Sequence, residues 1–361
     1  MHSYPSRRFI LRKDTNLSKF TYLCPDFTYE EVKIIVDNAI PFLEGVLEPY
    51  AETVYLPGRE ITARDVRDAD ALVVRTRTRC DAALLDGSQV RFIATATIGF
   101  DHIDLDYCRR RQIGVATAAG CNARGVLQWI GAVLHHLSQR DGWLPAKMTL
   151  GVVGAGHVGE LVREYAAAWG FRVLACDPPR AAREGGDFVP FEEIARCCDL
   201  VTFHTPLDAT TRHMAGEAFF RSLKSGATII NSSRGEVVDG DALLGSGHPY
   251  VLDVWEHEPV IDRRLLAGAI LATPHIAGYS AQGKANASSM AVRALARRFS
   301  LPLDAWYPAV APSRPRPIGW DELAATIGAH YDIAGESERL KGRPERFEEF
   351  RNGYAYREEY F

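Results

Sequence analysis

Short apolar runs alternate with longer, more polar stretches along most of this chain. The runs 33–37, 53–56, 71–74, 92–95 and 114–117 are four or five residues long and apolar at consecutive rather than alternate positions. That pattern predicts strands covered on both faces. Residues 62–68, 81–86 and 102–111 predict the helices between them. A second series follows, with strands predicted over 149–153, 172–176, 200–204, 228–231, 250–254 and 270–272. Strands alternating with helices predict parallel sheets. Between the two series, Val126, Trp129, Ile130, Val133, Leu134 and Leu137 recur at helical spacing, so 123–140 is one long core helix joining one domain to the next. Residues 282–298 predict a further helix that returns to the first lobe. The expected fold is α/β, with two Rossmann-like or flavodoxin-like parallel-sheet lobes and the active site in the cleft between them. The substrate lobe is 32–122 plus 276–300, and the cofactor lobe is 123–275.

The two ends read differently. Residues 1–31 have no period and mix both charges, and are expected to be an extension outside the native fold, with Val32 a candidate initiator. Five prolines within 301–319 predict a linker, because proline lacks the donor that regular structure needs. In the tail, 320–361, Phe347, Phe350, Arg351, Tyr354 and Arg357 recur at spacings of three and four. About 40 residues bury little core alone, so this stripe is expected to pack on a partner or on the chain's own body.

Composition narrows the classes. With 42 basic and 46 acidic residues the formal charge is -4, so no basic excess points to nucleic acid or a membrane surface. No stretch approaches the roughly 20 apolar residues of a membrane span. The seven cysteines are odd in number and include no CxxC pair. They predict free thiols in a reducing cytosol and no metal site. His102, His135, His136 and His204 have no paired metal spacing and read as structural or exposed.

The sharpest local motif is Gly154-Ala155-Gly156-His157-Val158-Gly159, between a predicted strand and a predicted helix. The first glycine makes a tight turn, the second lets the backbone approach a pyrophosphate, and the third lets helix pack on strand. Asp177 ends the next strand, 18 residues after Gly159. That is near the spacing of the carboxylate that binds a ribose 2′-hydroxyl, and it favours NAD over NADP. Three further segments lie at predicted strand ends, where open α/β sheets bind ligands. They are 231–235, 253–259 and 273–279, and they carry Arg234, Glu258 and His275.

With these segments, and with 94–102, 120–123 and 176–180, the chain resembles the D-isomer-specific 2-hydroxyacid dehydrogenases. The likeness runs from about residue 32 to the C-terminus and is dense to about 300. It implies an NAD-dependent oxidation of a small phosphorylated hydroxy acid. The rival readings are a phosphoglycerate or hydroxypyruvate substrate, or an NAD-sensing corepressor on the same scaffold. The resemblance implies a triad of Arg234, Glu258 and His275. Arginine offers a planar fork to a carboxylate, histidine takes the hydroxyl proton, and the acid orients the imidazole. Glu256 competes for the acid's role, but the family's acid precedes a proline, which selects Glu258. Thr205, Ser232, Ser233, Asp253 and Gly278 are implied beside the cofactor, together with the glycine motif, Asp177 and Arg234. Thr76, Thr97 and Tyr279 match substrate positions, and Arg75 is a candidate phosphate partner. A homodimer through the C-terminal segment is implied as well. Two departures from relatives, Gln128 in the long helix and a shortened 240–249 segment, are expected to alter local packing.

Overall fold

The computed structural model describes residues 32–361. The expected N-terminal extension lies outside the described residues. Two all-parallel sheets form the frame. The first holds β1 (Lys33–Asp37), β2 (Glu52–Leu56), β3 (Ala71–Val74), β4 (Phe92–Thr95) and β5 (Gly114–Thr117), in the order β2-β1-β3-β4-β5. The second holds β6 (Thr149–Val153), β7 (Arg172–Cys176), β8 (Leu200–Phe203), β9 (Thr228–Asn231), β10 (Tyr250–Leu252) and β11 (Leu271–Ala272), in the order β11-β10-β9-β8-β6-β7. Strands β3, β4, β8 and β9 are buried at every position, as their unbroken apolar runs require.

Strand order decides where chemistry can sit. An open α/β sheet forms a crevice beyond the carboxyl ends of its strands wherever the order reverses. In the first sheet the reversal falls between β1 and β3, whose ends deliver Asp37, Arg75 and Thr76. In the second it falls between β6 and β8, whose ends deliver the glycine motif and His204-Thr205.

The long helix is Ala123–Asp141, closed by Gly142 in a left-handed conformation (φ 71°). Nearly every face of it is buried, and its core includes side chains of β6, of the His157–Ala168 helix and of the tail. The Ala281–Phe299 helix lays Ala291, Val292, Leu295 and Ala296 against Ile34, Val36, Ala71 and Val73 of the first sheet. The helix thereby packs on the first sheet.

One predicted helix is not formed. Residues 62–68 are a chain of turns, in which Asp65 accepts from Thr62 N (2.8 Å) and Thr62 Oγ1 (2.6 Å). A side chain that bonds backbone locally competes with the helical ladder, and seven residues are too few to outweigh it. The shortened 240–249 segment still makes a helix, Gly240–Ser246, capped by Asp239 and stopped by Gly247 at φ 70°. No helix among the described residues is long and apolar enough to cross a membrane.

After the proline-rich segment the tail forms helices Trp320–His330, Ile333–Gly342 and Phe347–Asn352. Leu323, Ile327, Tyr331, Ile333 and Phe361 join the core of the long helix, while Leu340 and Phe347 join a second core of the cofactor lobe. Gln128 explains one departure. With its amide oriented to satisfy both ends, its oxygen accepts from Tyr360 N (2.8 Å) and its nitrogen donates to Glu358 O (3.3 Å). A glutamate carboxylate has no donor for that second bond.

Candidate active site

The two switch points face one cleft of about 680 Å³, lined from both lobes and by one residue of the tail. On the cofactor side, Gly154 takes φ 87° and packs so closely on His204 and Thr205 that a side chain would collide with their backbone. A Cβ at Gly159 would strike the Gly154 carbonyl, whereas Gly156 has open space in front of it. The helix that begins at His157 has no side-chain cap, so its first amides are available to an anion. His157 and Val158 line the cleft beside them. Thr205 Oγ1 and Ser232 Oγ are buried hydroxyls without a hydrogen-bond partner among the described residues, and both residues line the cleft. Buried polar atoms are nearly always satisfied, so an open glycine loop beside two unsatisfied hydroxyls fits a dinucleotide.

Asp177 stands just past β7. Its Oδ2 accepts from Ala155 N in the glycine loop (2.8 Å) and its Oδ1 from Arg180 N (2.9 Å). A carboxylate has about four acceptor sites, which leaves capacity for a ribose hydroxyl.

Glu258 and His275 meet as the sequence suggests. His275 Nδ1 lies 2.8 Å from Glu258 Oε2, and Glu258 Oε1 accepts from Trp255 N (3.0 Å). Burial pushes the Glu258 carboxyl up, but the His275 charge and bond, Arg351 and the Trp255 amide outweigh it and hold it below its ordinary value. His275 has φ 58°, a left-handed conformation. It is fixed there by His275 N donating to Asp253 O (2.7 Å) and by the Asp253 carboxylate, which accepts from Thr273 Oγ1 (2.6 Å), Ile276 N (2.8 Å) and Ala277 N (3.0 Å). Asp253, expected beside the cofactor, lines the cleft and also holds the histidine loop. Burial raises its pKa, and the opposing pull of His275 and these donors does not cancel the rise. Thr273 in turn accepts from Trp129 Nε1 (3.1 Å), which ties the loop to the long helix. Glu256 is excluded from the dyad, because its Oε1 sits 2.7 Å from His213 Nε2.

Arg234 reaches across the cleft. Its Nε donates to Asp101 Oδ2 (3.2 Å) and its Nη1 to Ser233 O (2.7 Å), and its guanidinium fills the space where a Cβ of Gly99 would stand. Ser233 donates both N (3.0 Å) and Oγ (2.9 Å) to Asn231 Oδ1, which shapes the turn that aims Arg234. Gly278 is glycine for packing: the Asn122 amide occupies the place of its side chain. Thr97 Oγ1 donates to Gly99 O (3.0 Å), and Thr76 lines the cleft. Burial pushes His102 down to about 4 and His204 to about 3, so both are neutral near pH 7, in keeping with structural roles.

Arg75 is paired as well as facing the cleft. Its Nε donates to Asp37 Oδ2 (2.9 Å) and its Nη2 lies 3.4 Å from Oδ1, with the Asp37 side chain fully buried. Arg75→Ala is therefore expected to destabilise the protein by about 3 kcal/mol, since it leaves a buried carboxylate without its cation. A fall in melting temperature of about 5 °C would register this. An unchanged melting curve would show that Asp37 does not need the pair.

Two residues lining this cleft escaped the sequence reading of the substrate site. Lys284 projects from the Ala281–Phe299 helix with its Nζ 3.7 Å from the centre of the Tyr279 ring. Arg351, noticed only as part of the tail stripe, donates to Tyr279 OH (3.3 Å) and Glu258 Oε2 (3.4 Å). No motif marks either one. Only the fold brings the tail back to the cleft.

Comparison with known proteins agrees with this geometry. Residues 127–277 match the family model described as D-isomer specific 2-hydroxyacid dehydrogenase, NAD binding domain. The chain is 46% identical to an erythronate-4-phosphate dehydrogenase of Bacteroides fragilis, over 91% of this chain and 97% of that one. It is 37% identical to the Cronobacter sakazakii protein of the same name, over 91% and 92%. Among solved structures, the NAD+-bound 3-phosphoglycerate dehydrogenase of Entamoeba histolytica superposes with a TM-score of 0.64 at 25% identity, covering 78% of this chain and 100% of that one.

Proposed function

The chain belongs to the erythronate-4-phosphate dehydrogenases, within the D-isomer-specific 2-hydroxyacid dehydrogenases, and from that membership and the cleft we infer its reaction. The protein oxidises 4-phospho-D-erythronate at C2 to (R)-3-hydroxy-2-oxo-4-phosphooxybutanoate, a step of pyridoxine 5′-phosphate (vitamin B6) synthesis. NAD, seated along the glycine loop and Asp177, supplies the hydride acceptor. Arg234 binds the substrate carboxylate through the donors it turns to the cleft. Glu258 engages His275 Nδ1, so Nε2 is the nitrogen that takes the C2 hydroxyl proton. The Glu258 carboxylate stabilises the imidazolium that results.

The observation that carries this reading is the 2.8 Å His275–Glu258 pair, which shares one cleft with Arg234 and the glycine loop. Thr76, Thr97 and Tyr279 also line the cleft and are assigned to the rest of the substrate, while Arg75 is engaged by Asp37. The homodimer implied by the family is assigned to the outer face of the tail, because its inner face is taken up by the chain's own cores. The cytosol is the proposed location.

NADH formation from 4-phosphoerythronate and from 3-phosphoglycerate tests the assignment. We expect kcat/KM to favour the four-carbon acid by at least about tenfold, the scale of one added charge-assisted contact. Preference for 3-phosphoglycerate would move the protein to another branch of the family, and turnover of neither acid would favour the corepressor reading.

A further inference from the structure

The substrate end of the cleft carries more positive charge than its ion pairs use. Arg75 is matched by Asp37, and Arg77 by Glu348, which Arg59 also contacts at 2.7 Å. Arg351 shares Glu258 with His275. Lys284 makes no ion pair among the described residues. Its ammonium faces two aromatic rings instead, 3.7 Å from the centre of Tyr279 and 5.4 Å from that of Tyr356.

Tyr279 lies between the two unexpected cations, with Lys284 over its ring and Arg351 at its hydroxyl. Burial raises the Tyr279 phenol, but the charges of Lys284, Arg351 and Arg75 outweigh it and leave the phenol below its ordinary value. Burial also lowers Lys284, and the like charges of Arg75 and Arg351 add to that effect. Several cations held together at one end of a cleft, with one of them lacking a carboxylate, form an unneutralised anion seat. Arg351 brings a fork suited to phosphate oxygens and Lys284 brings a point charge.

We propose that Lys284 and Arg351, gathered around Tyr279, hold the 4-phosphate of the substrate, so that the C-terminal tail is a specificity element of its own chain's active site. This rests on the reaction inferred above. The position fits the chemistry. Arg351 touches both Glu258 and Tyr279, so a phosphate bound there lies beside the dyad.

The test is a selectivity ratio, kcat/KM for 4-phosphoerythronate over that for erythronate, in the wild type, Lys284→Met and Arg351→Met. One charge-assisted contact is worth roughly 10–150-fold, and the ratio should fall by that factor in each variant, chiefly through KM for the phosphorylated acid. A ratio frees the result from general damage, which lowers both substrates together. Arg351→Lys should recover part of the ratio. A second measurement uses inorganic phosphate as a competitive inhibitor of 4-phosphoerythronate oxidation by the full chain with NAD. Its Ki should rise by a similar factor in Lys284→Met, and Lys284→Gln serves if the methionine variant does not fold. A wild type with no preference for the phosphorylated acid would sink the inferred reaction itself. A wild-type preference that survives in both variants, with phosphate inhibition unchanged, would overturn only the assignment of Lys284 and Arg351.

Discussion

Replacing His275 by asparagine is expected to lower kcat for 4-phosphoerythronate oxidation by roughly 10²–10⁴, the range of a positioned general base, while NAD binding persists. Asparagine is the informative choice because the residue sits at φ 58°, a region that asparagine tolerates better than most side chains. A loss of rate then reports the missing imidazole rather than a strained loop. The bonds from Asp253 to the backbone of 275–277 do not involve the imidazole and should survive. Glu258→Gln should cost less than His275→Asn, since the carboxylate acts on the proton only through the ring. Both variants belong in one experiment that measures kcat together with NAD affinity. A kcat for His275→Asn within tenfold of wild type would remove the histidine from the proton's path. A collapse of NAD binding would show instead that the loop had moved.

The strands and long helices were legible because burial on both faces writes itself as consecutive apolar residues and helical packing as a stripe. The glycine motif was legible because a tight turn and a close helix–strand contact tolerate nothing larger. The same reasoning could not reach contacts made across hundreds of residues. Asp37 and Arg75 meet because β1 and β3 are neighbours, which is a property of strand order and not of either segment. Arg351 reaches Glu258 only through a tail whose helices pack on the body, and Lys284 lies on a helix that the sequence marks as a helix and nothing more. At 62–68 a helix expected only from its place between two strands was outweighed by a local side-chain bond from Thr62 to Asp65. The likeness to a family supplied the triad. It also supplied Thr76, Thr97 and Tyr279, but it did not supply Lys284 or Arg351.

Truncation after residue 319 is expected to yield protein that aggregates or melts far below the full chain, not a well-folded monomer. The tail contributes seven buried apolar side chains: Leu323, Ile327, Tyr331, Ile333, Leu340, Phe347 and Phe361. At about 1.5–3 kcal/mol each, their burial is worth on the order of 10–20 kcal/mol. Relief of the tail's ordering entropy offsets part of that, but net stability is only about 5–15 kcal/mol. The body left behind would also expose Trp129, Trp169 and Phe171, which share a core with the tail. Arg357 carries the effect into the site. Its side chain is buried, donates to Ile276 O (3.2 Å), Gly125 O (2.9 Å) and Ala277 O, and stacks 4.6 Å from the Tyr331 ring centre. Those carbonyls belong partly to the loop that holds His275, so loss of the tail should disturb the dyad even in molecules that remain folded. Arg357→Met isolates this contribution, with kcat expected to fall further than the melting temperature alone would explain. Sedimentation and melting of the truncated chain decide the larger question. A monodisperse species that melts like the full chain would show that the tail's contacts do not hold the body together. An unchanged dimer mass would in addition remove the tail from the proposed interface.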